Sequence, residues 1–385
     1  MMKFKGLWRL ILVTLGFFLS TVVVADVLVQ ATPDEGLQPR LVQGADGSVH
    51  LLYFKKRLNR PAAREGNLYY RQYQADTGRF GSPVRVSSQA FNLQSVSISR
   101  AAMAVGGDGR VHVMWYRPRE GEYHYSRSNP ERIQFEQQRS LVTEFTDGLD
   151  AGGDVAAFGS EVAIVWGAGD LTREDERSMF ARFSHDGGAS FGSEEMIANP
   201  DLGACACCSM AIDYLSSSEL VVAYRSAIDG IGRHMQILHV NGVDGDLSGA
   251  SYGDVHELLQ WEATFCPLST NDIGFDSADD AWLVFETESR IIKMNLEDPE
   301  QIVPVAEPYT ETRQKNPAIA FDAAGKHIIV WGEAISHSRG GRLNLRLFAA
   351  DGVEDAYRLP EEIQMQNFTF PAAAALPGGD FLVLY

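Results

Sequence analysis

The chain has 385 residues, an apolar fraction of 45% and a formal net charge of −18. Its 51 acidic against 33 basic residues exclude nucleic acid as a partner, because phosphate binding needs a basic footprint. An anionic membrane surface is disfavoured on the same ground, and an anionic ligand needs a local positive patch that overrides the global field.

The first element in the chain is a targeting segment. Lys3, Lys5 and Arg9 form a charged leader, residues 10–24 are an apolar run, and Val23 and Ala25 set up cleavage before Asp26. The run is short for a membrane span. The expectation is a signal peptide at residues 1–25, a single domain at 26–385, export to the periplasm or the medium, and no membrane contact after cleavage. Four cysteines in an exported chain predict one or two disulfides, since the thiol-reducing systems are cytosolic.

From there one phrase recurs: an apolar strand, a Gly/Asp turn, and a second strand ending in an aromatic. It first occurs as PRLVQGADGSVHLLYF at Pro39–Phe54 and returns at Ser99–Tyr116, Gly152–Gly167, Ser209–Arg225, Asn271–Glu286 and Asn316–Gly332. A partial copy closes the chain at Phe370–Tyr385. The terminal aromatics are Tyr53, Trp115, Trp166, Tyr224, Phe285, Trp331 and Tyr385, about 46 to 62 residues apart, the period of propeller blades. A second alternating pair follows each phrase, as at Asn67–Val86, which makes four strands per unit. Six full phrases predict an all-β, six-bladed β-propeller of four-stranded antiparallel blades. The partial copy is expected to complete a sheet begun near the N-terminus, closing the ring with the chain ends and removing exposed strand edges. No amphipathic run outside the leader competes for a helix.

The third unit carries SHDGGASFGSEEMI, in which Ser184, Asp186, Gly188 and Phe191 fit Ser-x-Asp-x-Gly-x-x-Phe. This resembles the Asp-box of the sialidase (neuraminidase, BNR-repeat) superfamily. In such a box the Ser and Asp side chains bond turn amides, the glycine takes a left-handed corner and the aromatic packs beneath. The resemblance implies a structural role on the face opposite the active site. It also implies a glycoside hydrolase of sialidase type, with an arginine triad clamping the substrate carboxylate, a Tyr nucleophile activated by Glu, and an Asp acid/base. The family's first arginine lies in Arg-Ile-Pro; here the stretch is Leu37-Gln38-Pro39, so the proline survives and the arginine does not. Arg40 falls in the next register. The remaining arginine candidates are Arg225, Arg57 and Arg117, with Glu286 and Glu333 as candidate carboxylates; paired Asp/Glu would be the hydrolytic machinery. The departure at Arg-Ile-Pro leaves catalysis open.

The sharpest local feature is ACACCSMAID at Ala204–Asp213, with FCPLSTND at Phe265–Asp272. Cys205, Cys207 and Cys208 precede the first strand of unit four, and Cys266 precedes that of unit five. These two loops are expected to meet at one mouth of the central channel. Three readings stand side by side. Two disulfides would fasten the units together, with a pairing that sequence does not give. A thiolate site for a soft metal would draw on Met210, His234 or Met235 nearby. A redox-active or nucleophilic thiol is the third. Trp261, Glu262, Asp170 and His337 map to the same mouth. The functional expectation is a monomeric propeller binding a glycan or similar small molecule there, with a sialidase-type hydrolase and a metal-binding or protein-interaction propeller as alternatives. No cofactor is assured beyond that soft metal.

Overall fold

The computed structural model describes residues 27–57, 65–93, 100–243, 251–252, 256–258, 260–299, 301–306, 312–334 and 339–385. The expected signal peptide at residues 1–25 lies outside the described residues, and so does His337. The regular structure of the described chain is nearly all β, the exceptions being three 3-10 turns at Pro33–Glu35, Glu174–Glu176 and Pro200–Leu202. Among the described residues no helix is long and apolar enough to cross a membrane.

Each full phrase becomes the two inner strands of one antiparallel sheet, running outward from the axis. The inner strands are Leu37–Gln43, Ala102–Val105, Asp154–Phe158, Ala211–Ser216, Asp272–Phe275 and Gln314–Phe321. They pair with Val49–Lys56, Val111–Arg117, Glu161–Ala168, Glu219–Arg225, Ala281–Thr287 and His327–Glu333. Sheets three and five have the expected four strands. Sheets two and six have three, with outer bridges Tyr125–Arg139 and Arg342–Gln364 in place of a fourth strand.

Four of the joining turns repeat one geometry. Gly44, Gly106, Asp322 and Leu376 donate amides to the carbonyls of Ser48, Arg110, Lys326 and Asp380 at 2.8–2.9 Å. Each turn reaches the left-handed region at its glycine (Gly47, Gly109, Gly325, Gly379; φ 76–85°), where a Cβ would be strained. This is why the phrase carries its Gly at the turn.

The chain ends close the ring. Ala372–Ala375 pairs antiparallel with Phe381–Leu384, and Val27–Gln30 adds in parallel to the latter. The closing sheet holds its own place, its inner strand touching those of both sheet six and sheet one. The count of six applies to the full phrases. Among the described residues the strands form seven sheets, the seventh being the one in which the partial copy completes, as expected, a sheet begun near the N-terminus by Val27–Gln30.

Seven apolar clusters fill the seven interfaces between neighbouring sheets. The phrase-ending aromatics explain the repeat. Tyr53, Trp115, Trp166, Tyr224, Phe285 and Trp331 are all buried, and each packs toward the preceding sheet. Burying a side chain of this size contributes about 1.5–3 kcal/mol, so every period carries its own glue. His50 and His112 occupy equivalent positions in sheets one and two. Each ring bonds a third-strand tyrosine, Tyr70 at 2.8 Å and Tyr125 at 2.7 Å. Burial holds both imidazoles down at about 4, so they are neutral packing residues at pH 7.

The Ser184–Phe191 turn is stapled from within. Ser184 Oγ donates to Asp186 Oδ1 at 2.8 Å and accepts from Gly188 N at 2.9 Å, and Asp186 accepts from Ser190 N at 2.8 Å. Burial works against the Asp186 charge, but bonds from Ser190, Ser184 and Ala189 outweigh it and hold the carboxyl at about 2. Gly188 sits at φ 74° with its α-carbon facing the Tyr125 hydroxyl, and Phe191 packs edge-on against the Tyr125 ring at 5.2 Å. Gly188→Ala is expected to cost about 2 kcal/mol from the left-handed backbone and this contact, read as a lowered urea midpoint.

Candidate functional site

Two faces of the ring are distinguished by their turns. Gly187 N donates to Ser160 O at 2.9 Å, so the Ser184–Phe191 turn shares a face with the hairpin joining the inner two strands of sheet three. On the other face, Cys205 N donates to Arg225 O at 2.9 Å, tying the loop before sheet four's inner strand to the end of its second strand. That second face is the cysteine-bearing mouth.

All four cysteines are oxidised, as Cys205–Cys208 and Cys207–Cys266. The first pair tightens the loop of sheet four, and the second fastens sheet four to sheet five. This is the two-disulfide reading; the reactive-thiol reading has no free thiol to stand on. Glu174, from the 3-10 turn of sheet three, clasps the same loop. Its carbonyl accepts from Ala204 N at 3.0 Å, Oε1 accepts from Ala206 N at 2.7 Å, and Oε2 pairs with Arg233 Nη2 at 2.5 Å. One ligand atom from each of Glu174, Cys205, Cys207 and Cys266 falls within a 4.8 Å set. The further soft ligands considered from sequence point elsewhere. Met210 and Met235 are buried in the apolar clusters on either side of sheet four, and His234 Nδ1 accepts from Trp261 N at 2.8 Å.

The rim arginines do not converge on a shared ligand position. Arg225 is buried, donates to the carbonyls of Arg233 (2.9 Å) and Glu286, and lies 5.2 Å from the Trp261 ring centre. Burial, with Arg233's charge against Glu286's, brings its guanidinium down to about 10. Arg57 is exposed and pairs with Glu65 at 3.0 Å, while Arg117 pairs with Glu120 at 2.8 Å and contacts His124. Arg57 and Arg117 are each held within their own sheet, and Arg225 is shared between sheets four and five.

Glu286 and Glu333 are buried, and both serve the fold. Glu286 accepts from Ser289 N at 3.1 Å and has Lys315 at 3.9 Å; burial pushes its carboxyl up. Glu333 accepts from Thr312 Oγ1 at 2.9 Å and from Asn344. Asp170 caps its own loop through Thr172 at 2.8 Å. Trp261 is buried, whereas Glu262 is exposed on the bridge to Gly232. Beside them, Phe265 is 48% exposed, 6.0 Å from Trp261, with the Arg313 guanidinium 5.6 Å from its ring centre.

A second group, on the axis, was not anticipated. Arg40 of sheet one reaches across the ring to Asp272 of sheet five, Nη1 to Oδ1 at 2.9 Å. Asp154 of sheet three, Asp213 of sheet four and Arg100, beside the inner strand of sheet two, feel the same charges. Burial pushes Asp213 up to about 7, with Asp154 and Asp272 adding to the rise and Arg40 opposing it. Burial and the neighbouring Arg40 bring Arg100 down to about 9. Two of these aspartates also stitch the ring: Asp154 accepts from Ile212 N at 3.2 Å and Asp272 from Ile319 N at 3.1 Å, each on the next inner strand. The sequence signal is a charged residue on an inner strand that is otherwise apolar. Arg40, set aside for its register, is the residue that crosses the channel.

No protein-family model matches the chain, and no curated protein matches it. Solved structures do match. A protein of unknown function from Dyadobacter fermentans aligns over 86% of this chain and 96% of its own, with a TM-score of 0.53 at 11% identity. An α-L-arabinanase from Penicillium chrysogenum, complexed with arabinobiose, aligns over 86% of this chain and 99% of its own, with a TM-score of 0.50 at 12% identity. The fold they share with this chain is a β-propeller. Hydrazine synthase from Kuenenia stuttgartiensis aligns over 94% of both chains, with a TM-score of 0.51 at 13% identity. An arabinanase and a hydrazine synthase thus both align with this fold, and function has to be argued from the mouth.

Proposed function

We propose that this chain is an exported propeller that binds a carbohydrate at the cysteine-bearing mouth. The observation that carries the reading is the Phe265–Trp261–Arg313–Arg225 stack. It offers a half-exposed aromatic ring, met edge-on by Trp261, flanked by the Arg313 guanidinium and placed next to a disulfide-held residue, Cys266. Sugar rings present C–H faces to aromatics and hydroxyl edges to charged neighbours such as Glu262. The arabinanase complexed with arabinobiose, on the same fold, supports the ligand class. The signal peptide expected at residues 1–25 and the oxidised cysteines agree with an exported site.

Binding to an oligosaccharide array, followed by calorimetry on the strongest hit, tests this. Phe265→Ala is expected to weaken binding at least about tenfold, for one stacked aromatic contact, with the circular dichroism unchanged. No binding across arabino-, sialo- and gluco-oligosaccharides would end the carbohydrate reading. One observation favours turnover as well: Asp213, held near 7 beside Arg40 and Asp154, has the proton affinity of a general acid at neutral pH. Fluorogenic α-sialoside and α-arabinofuranoside, assayed with wild type and Asp213→Asn, separate a hydrolase from a binder.

A further inference from the structure

Beyond carbohydrate recognition, we propose that the double disulfide is the oxidised form of a soft-metal site made of Cys205, Cys207, Cys266 and Glu174. The site forms when a dithiol reductant opens both bridges. The argument begins with proximity. Three sulfurs and one carboxylate oxygen, drawn from three successive sheets, already lie within 4.8 Å of one another. Tetrahedral coordination of zinc asks for metal–sulfur distances of about 2.3 Å and metal–oxygen distances of about 2.0–2.2 Å, which place ligand atoms roughly 3.5–4 Å apart. Parting two bonded sulfurs to that separation is a local movement.

The chemistry balances. Each bridge takes two electrons and two protons, the dithiol becoming a disulfide, and gives two thiols. Binding the cation releases the protons of the three ligating thiols. Cys208, the fourth thiol, lies outside the set. Glu174 is already oriented for such a role. Arg233 and the Ala206 amide hold its two oxygens, the outer contacts that fix a metal-ligating carboxylate. Arg233 also offsets part of the negative charge that three thiolates and a carboxylate bring together. Cys207, Cys266 and Glu174 are only partly buried, so an ion has a way in.

The protein reduced anaerobically with a dithiol, then freed of it, is titrated with Co²⁺ and followed by absorbance. Near-ultraviolet circular dichroism is recorded in parallel. One equivalent of cobalt with intense thiolate-to-cobalt charge-transfer bands is expected in the reduced protein, and none in the oxidised. Cys266→Ser should lose those bands, Glu174→Gln should weaken binding at least about tenfold, and Cys208→Ser should keep the stoichiometry. A reduced, folded protein without the bands overturns the proposal. So does loss of the near-ultraviolet signal on reduction, because the ligand set exists only while the sheets stay assembled. So does a Glu174→Gln variant that binds as tightly as wild type. None of these readouts depends on carbohydrate binding, so the two readings fail separately.

Discussion

Replacing Cys207 and Cys266 together by serine is expected to lower stability by about 4 kcal/mol, the largest single-site cost in the molecule's covalent framework. The bridge closes a segment of 59 residues, and the chain-entropy relation gives about 4 kcal/mol for a loop of that length. The same relation gives only about 1–2 kcal/mol for Cys205–Cys208, whose partners are three residues apart. The contrast is the test. The 207/266 double variant should shift the urea midpoint two to three times as far as the 205/208 variant. Equal shifts would mean that the long bridge merely decorates an interface already held by the apolar cluster between sheets four and five.

What was legible in the sequence was whatever recurs. The strand–turn–strand phrase repeats because each full phrase buries one aromatic against the preceding sheet and several of the joining turns reach the left-handed region at a glycine, so Trp115, Trp166 and Trp331 announce their positions. The disulfide option was legible because four cysteines stood before adjacent inner strands. The pairing was not, because Cys205, Cys207 and Cys208 share one loop, where spacing does not choose a partner. The closing sheet was read from its partial phrase, but its parallel Val27–Gln30 strand leaves no periodic trace. The axial charges were missed for a related reason. Arg40 and Asp272 are far apart in sequence and meet only when the ring closes, and Asp154 and Asp213 sit in phrases that otherwise read as apolar strand. The rim candidates illustrate the converse. Arg225, Glu286 and Glu333 fall where a ligand-facing residue is expected after each second strand, yet all three are buried and tied to neighbouring loops.

The axial group yields the second large effect. Arg40→Met should cost about 3–5 kcal/mol, because it leaves Asp272 buried beside Asp154 and Asp213 with one cation fewer. The sign of the axial group's own pH dependence is fixed by Asp213, whose carboxyl is held at about 7 in the folded protein against about 3.9 in an unfolded chain. Between these values the folded state binds the extra proton, so the contribution of Asp213 is greatest at the acid end and falls as pH rises toward 7, opposite in sign to that of the buried His50 and His112. Asp213→Asn keeps an oxygen for the Tyr214 amide and removes the titration. It should therefore flatten that slope and leave the variant more stable than wild type at pH 8 by more than about 1 kcal/mol. Arg40 lowers both Asp213 and Asp154, so its loss raises them further and the Arg40→Met deficit should be larger at pH 8 than at pH 5. Urea denaturation of the three proteins at the two pH values decides the matter. An Arg40→Met deficit independent of pH would mean that its side chain stabilises the axis by packing alone. The Asp213→Asn result bears on function as well. A variant that is stabilised at pH 8 and loses a measured turnover would identify a group kept protonated for chemistry at the expense of stability. One that is stabilised and binds sugar unchanged would make the axial charges a feature of ring closure.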